Sequence, residues 1–131
     1  MKKGMVLNSE ISKVIAEMGH TDIIAIADSG LPIPVNVKRI DIALTKGIPS
    51  LIDTFKVILS ELYVEEAILA EEIILKNLEL YNIIKRILKE IPIKLISHEE
   101  FKKQITFCKA VIRTGEQTPY ANIILKSGVV F

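Results

Sequence analysis

The sequence predicts an α/β protein, a three-layer α/β/α sandwich on a mainly parallel, mixed sheet. Three observations carry this. Segments with helical spacing alternate with short apolar runs along the whole chain, the order expected of strand–helix units. The run Ile23–Ala27 is continuous, with no polar alternation, as expected of a strand covered on both faces. A length of 131 residues allows one core and is too short for two, so residues 1–131 are expected to form a single domain.

The elements follow in order. Ile11, Val14, Ile15 and Met18 keep helical spacing, Asn8 or Ser9 can cap the start, and Gly19 stands where a left-handed stop residue belongs. Ile23–Ala27 reads as a buried strand, with Asp28 at its carboxyl end, the end where open α/β sheets bind ligands. Gly30-Leu31-Pro32-Ile33-Pro34 fits neither helix nor central strand and predicts a rigid loop. A short strand over Arg39–Leu44 precedes Gly47-Ile48-Pro49, and Leu51, Ile52, Phe55, Ile58, Leu59 and Leu62 mark an amphipathic helix. Glu66–Ala70 is the next strand, with Glu71 and Glu72 at its exit. Leu80, Ile83, Ile84, Ile87 and Leu88 repeat the helical spacing until Pro92. Ile93–Ile96 gives another strand, after which Ser97 and Glu100 have capping-box spacing and put His98 in the first turn of a short helix. Lys109–Arg113 and Asn122–Lys126 are the last long strands, joined by the loop over 115–121. Ser127-Gly128 turns into a final Val129-Val130-Phe131.

Composition narrows the function. A formal net charge of +1, from 17 basic and 16 acidic side chains, lacks the footprint of a nucleic-acid or anionic-membrane binder. The apolar stretch after Lys2 and Lys3 stops at Asn8, short of a signal peptide, and no run approaches a membrane span. A cytoplasmic protein is expected. The single Cys108 excludes an internal disulfide and, among Ile105, Phe107, Ala110 and Val111, reads as a core thiol. With two histidines in all, a Cys/His metal cluster is not expected. A hydrophobic share of 50% and a mean hydropathy of +0.38 are high for so short a chain, so part of the apolar surface is expected between subunits.

Two polar stretches are not built for packing: Gly19-His20-Thr21-Asp22 with Asp28-Ser29-Gly30 after it, and residues 115–122 near the C-terminus. His20 and His98 both fall at element boundaries, where an imidazole can exchange protons near neutrality or simply cap the backbone. Asp28 can brace its own loop or contact a ligand. Tyr120 and Asn122 offer the donor and acceptor pattern that sugars need, or stabilise a turn. Glu71 and Glu72 read as a solvated face, Glu72 being the one best placed for a site. A phosphate loop, a Gly-x-Ser-x-Gly elbow and a His-x-x-x-His pair are all missing from the sequence, which leaves acid/base chemistry without cofactor or metal.

Gly19-His20-Thr21-Asp22, Ala27-Asp28-Ser29-Gly30-Leu31-Pro32-Ile33-Pro34, Arg39-Ile40-Asp41, Ser97-His98-Glu99-Glu100-Phe101-Lys102, Thr114-Gly115-Glu116 and Thr118-Pro119-Tyr120-Ala121-Asn122-Ile123-Ile124-Leu125 resemble the D-ribose pyranase family, within the ribose-utilisation and fucose-mutarotase superfamily. The resemblance runs from Lys3 to Phe131. Fucose mutarotases carry an Ala-Asp-Ala-Asn-Phe-Pro type of sequence where this chain has Ala27-Asp28-Ser29-Gly30-Leu31-Pro32, so the ribose branch is favoured. It implies a ribose pyranase-like fold and interconversion of ribose pyranose and furanose, with His20 as the catalytic acid. Asp28, His98, Lys102, Tyr120, Ala121 and Asn122 would bind D-ribose. It further implies a ring-shaped homo-oligomer, typically a decamer, with the site near a subunit boundary. A non-catalytic sugar-binding accessory protein, a mutarotase for another sugar such as fucose, or a structural subunit are the alternatives.

Overall fold

Asn8 opens the first helix, α1 (Ser9–Glu17), by accepting the Ile11 N–H on its Oδ1 at 3.0 Å. One orphaned helix donor is thereby satisfied by a side chain. In the computed structural model, which describes residues 1–131, ten elements follow. They are β1 (Ile23–Ala27), β2 (Arg39–Asp41), α2 (Leu51–Leu59), β3 (Val64–Ala70), α3 (Ile73–Lys76), α4 (Leu78–Leu88), β4 (Ile93–Ile96), α5 (His98–Ile105), β5 (Val111–Arg113) and β6 (Ile123–Ser127). Ser50 and Ser97 cap α2 and α5 by accepting from the Asp53 and Glu100 N–H groups. Glu100 completes only half of the capping box, because its carboxylate takes the Lys103 ammonium at 3.0 Å.

All six strands share one sheet in the order β2-β5-β1-β6-β3-β4. β5 is parallel to β1 and β2, and β3 is parallel to β4, whereas β6 is antiparallel to both β1 and β3. The sheet is therefore mixed and mainly parallel, as the sequence predicts. Successive residues feed opposite cores. Ile24, Ile26, Leu69, Ile112, Ile123 and Leu125 meet Ile11, Phe55, Ile58, Ile73 and Ile84 from α1 to α4 on one face. Ala25, Ala27, Ile68, Val111 and Ile124 meet Leu31, Val37, Phe101 and Ile105 on the other. The outer layers are thus unequal, four helices against α5 and the loop that follows β1. Fully burying a side chain such as Phe55 contributes about 1.5–3 kcal/mol. No helix is long and apolar enough to cross a membrane.

Several local expectations are corrected. The residue after α1 is Met18, which caps in an extended conformation, and the left-handed backbone falls at Thr21 (φ 70°) rather than Gly19. β2 ends at Asp41, not Leu44, because the Ala43 N–H turns back to Asp41 Oδ1 and the Leu44 N–H goes to Ile48 O. β3 starts two residues early, at Val64, with a bulge between Val64 and Glu66. α3 is a four-residue helix that the apolar spacing does not announce. Both edges of the sheet are short: β2 has three residues, with Arg39 and Asp41 exposed, and β4 has four, with Lys94 exposed.

Cys108 is buried in the smaller core, as expected, and burial pushes its thiol up to about 12. Desolvation penalises the thiolate, the reactive form. At pH 8 a thiol reagent should label Cys108 at the rate of unfolding and label it at once in denaturant; fast native labelling would contradict this packing. The unfolded chain also ionises first, so this thiol's contribution to stability should fade as the pH rises from the ordinary thiol range towards 12.

Candidate functional site

A reciprocal pair closes the carboxyl end of β1. The Asp28 N–H donates to Asn122 Oδ1 at 2.8 Å, and Asn122 Nδ2 donates back to Asp28 Oδ2 at 3.0 Å. Asp28 Oδ1 accepts the Gly30 and Leu31 N–H groups at 2.9 and 2.8 Å, which fixes the loop. Asp28 is therefore both a loop brace and a wall of a polar cleft of about 400 Å³, lined by residues 28–30 and 116–119.

The second polar loop is held from several sides. Thr114, fully buried, donates from Oγ1 to Ala27 O at 2.8 Å. A Cβ at Gly115 would collide with the carbonyl oxygens of Thr45 and Ile48, so this close approach requires glycine. Glu116 accepts the Leu51 N–H and both the N–H and hydroxyl of Thr118, while Asn77 Nδ2 donates to Thr118 Oγ1 and Pro119 O at 2.9 Å. Tyr120 then takes a left-handed conformation (φ 53°), which a non-glycine residue rarely adopts and which clusters at functional sites.

That turn sets the Tyr120 ring edge-on to His98, with centroids 5.1 Å apart and planes at 85°. His98 also stacks near-parallel with Phe101, with centroids 6.4 Å apart. The His98 N–H donates to both Glu72 oxygens, at 3.0 and 2.9 Å, so Glu72 anchors the start of α5 rather than belonging to a solvated face. His98 Nδ1 is buried without a hydrogen-bond partner. Ala121 is fully buried between Tyr120 and Asn122. Lys102, one turn along α5, gives its ammonium to Glu99 at 2.6 Å, and this pairing holds the Glu99 carboxyl below its usual range.

Asp28, His98, Tyr120, Ala121 and Asn122 are thus brought together, with Lys102 on the adjoining turn. His20 is not among them. It precedes β1 while Asp28 follows it, so the five residues of the strand, about 17 Å at 3.3 Å per residue, lie between them. His20 sits in a turn where Asp22 Oδ2 accepts the Gly19 N–H at 2.9 Å, just before the strained Thr21. Its Nε2 bonds Glu65 Oε2 at 2.9 Å, and Lys126 Nζ lies 3.3 Å from Glu65 Oε1. These partners hold the Glu65 carboxyl low, His20 first and Lys126 after it. The pocket beside His20, about 480 Å³, is bordered by Tyr63 and by residues 127–131. Sequence reasoning passes over Glu65, because nothing in the spacing announces a contact made 45 residues away through a bulge. The separation of His20 from Asp28 was implicit in the length of the strand between them. No group of three or more His, Cys, Asp or Glu side chains is arranged to share a metal ion.

Comparison with known proteins gives the family. The model of the RbsD / FucU transport protein family matches residues 1–130. The chain belongs to that family. Among the relatives of this RbsD / FucU member are a D-ribose pyranase from Clostridium perfringens (strain 13 / Type A), 60% identical, and one from Coprothermobacter proteolyticus, 63% identical, each aligned over 100% of both chains. The structure of Bacillus subtilis RbsD complexed with D-ribose superposes with a TM-score of 0.97 at 49% identity over 100% of both chains. A fucose mutarotase from Streptococcus pneumoniae, at 23% identity and a TM-score of 0.81, shares the fold. The family and fold read from the motifs are therefore found.

The Asp28–Asn122 pair generates a stability prediction. Asn122 is 2% exposed, so Asn122→Ala leaves the Asp28 N–H and one carboxylate oxygen short of a partner. The expected cost is about 1–3 kcal/mol in urea unfolding. An unchanged midpoint would show that water replaces the amide freely.

Proposed function

We propose that this chain is a D-ribose pyranase, an isomerase that interconverts the pyranose and furanose forms of D-ribose and so supplies furanose for phosphorylation. The observation carrying this is the cage of Asp28, His98, Tyr120 and Asn122, built at one end of the sheet in a chain that aligns end to end with relatives named D-ribose pyranase. The cage suits a polyhydroxyl ligand. Its carboxylate accepts, its amide and phenol do both, and the unpartnered His98 Nδ1 lacks the hydrogen bond that a sugar hydroxyl can make. Lys102 completes the set when its ammonium leaves the exposed Glu99.

His20 is the acid. A protonated imidazole gives its proton to the ring oxygen, the bond from that oxygen to the anomeric carbon breaks with its electron pair going to the oxygen, and the anomeric hydroxyl becomes a carbonyl. The neutral imidazole then takes the proton that this hydroxyl releases, which restores the acid. Closure through a different hydroxyl is the reverse sequence and yields the other ring size. One imidazole serves both directions, and general acid/base assistance of this kind is worth about 10²–10⁴ in rate.

The length of β1 between His20 and Asp28 supports a site shared by two chains, His20 of one copy facing the cage of the next. Head-to-tail contacts of this kind close into rings, and we propose a ring-shaped homo-oligomer, in full a decamer of a single-domain chain working in the cytoplasm. Exposed Tyr63, Val130 and Phe131 beside His20 supply apolar surface for that contact.

Saturation-transfer NMR should show faster exchange between ribose pyranose and furanose on adding the protein without metal or nucleotide, and little effect on L-fucose; unchanged ribose exchange would defeat the proposal. His20→Ala should lose most exchange while still binding ribose, whereas Asp28→Ala should weaken binding.

The shared site has its own test. Co-refolded His20→Ala and Asp28→Ala chains should regain about a quarter of wild-type exchange, the fraction of contacts that pair an intact His20 with an intact cage. No recovery in a correctly sized mixed oligomer would place a complete site on each chain.

A further inference from the structure

The bulge in β3 has a consequence for the acid. Val64 pairs with Ser127 and Glu66 with Lys126, so a step of two on β3 faces a step of one on β6, and Glu65 is the extra residue. In a regular strand Val64, Glu66 and Ile68 would share a face. Here Val64 packs in the larger core while Ile68 packs in the smaller one. The bulge therefore sends Val64 inward and frees Glu65, half-buried at the end of the sheet, to reach His20 Nε2 at 2.9 Å. Lys126, in register with both Ile23 and Glu66, holds the other carboxylate oxygen at 3.3 Å.

We propose that Glu65 is a positioning residue for the His20 acid, fixing the imidazole with its proton on Nε2 so that Nδ1 alone exchanges protons with the sugar. An ionised carboxylate can only accept. While Glu65 is charged, His20 Nε2 must carry hydrogen, and Nδ1 is the acceptor of the neutral ring and the donor of the charged one. Glu65 stays ionised well into the acid range because His20 and Lys126 both favour its charged form. A third group that orients an acid/base histidine and sets its tautomer is a general device for proton transfer. The inference rests on the pyranase reading for its kinetic consequence, though not for the tautomer itself.

The experiment compares wild type with Glu65→Gln, which keeps the shape but lets the amide accept or donate. In ¹⁵N-histidine spectra, His20 of the wild type should show hydrogen on Nε2, and Glu65→Gln should show a mixture of tautomers. Ribose exchange should fall about 10- to 100-fold through kcat, with the ribose KM within about threefold. If Glu65→Gln does not fold, Glu65→Asp serves instead, expected to keep the Nε2–H tautomer with reduced turnover. A wild-type His20 with hydrogen on Nδ1, or a Glu65→Gln protein with unchanged tautomer and turnover, would overturn the proposal. If wild type shows no ribose exchange while the tautomer still depends on Glu65, the pyranase reading fails and the positioning role stands.

Discussion

Strand β6 runs against both of its neighbours, so its first residues lie where β1 and β3 finish and its last lie where they begin. Both polar clusters depend on that direction. Asn122, just before β6, reaches Asp28 because β1 ends there; Lys126, near the other terminus, reaches Glu65 because β3 starts there. A parallel strand in this position would carry the two groups to the wrong ends. The central place of β6, with Ile123, Ile124 and Leu125 fully buried between two cores, makes it the rigid bar on which both polar clusters are mounted. Loops held by such a scaffold can carry strained residues, and Thr21 and Tyr120 each stand within two positions of the groups that matter.

How much of this was readable from residue order follows from how local each feature is. Ile23–Ala27 announces itself because no polar residue interrupts it, and Asp28, His98 and Asn122 were found because each stands where a strand stops or starts. The N-caps of α1 and α5 are likewise contained within four residues. Features that depend on distant neighbours were not readable. The backbone at Thr21 is held left-handed by a bond from its N–H to Ser127 O, against the preference of a β-branched residue, and Gly19 was the better local guess. α3 is too short to show a period. Glu72 looked like surface because only the fold brings the His98 N–H to it.

The two polar ends differ in how they are held. Around Asp28 every bond runs to backbone or to a buried amide, an arrangement that leaves little freedom. Around His20 the partners are half-exposed charged groups, with the histidine side chain itself 53% accessible. Screening by water makes such bonds individually weak. Under the proposed assignment, a stiff binding surface and a looser proton-bearing end suit a reaction in which the sugar must open, turn and close again while its hydroxyls stay held.

The brevity of the sheet's edges bears on how copies of this chain can meet. An exposed strand invites another to extend the ladder, the route to fibrils, and natural proteins suppress it with short, charged edges. β2 offers three residues, of which Arg39 and Asp41 are exposed and the latter is already tied to Arg113. β4 offers four, with Lys94 outward. Backbone-to-backbone templating is thus discouraged on both margins, and contacts between copies are left to side chains on the faces and ends, where shape can limit how many chains join and in what orientation.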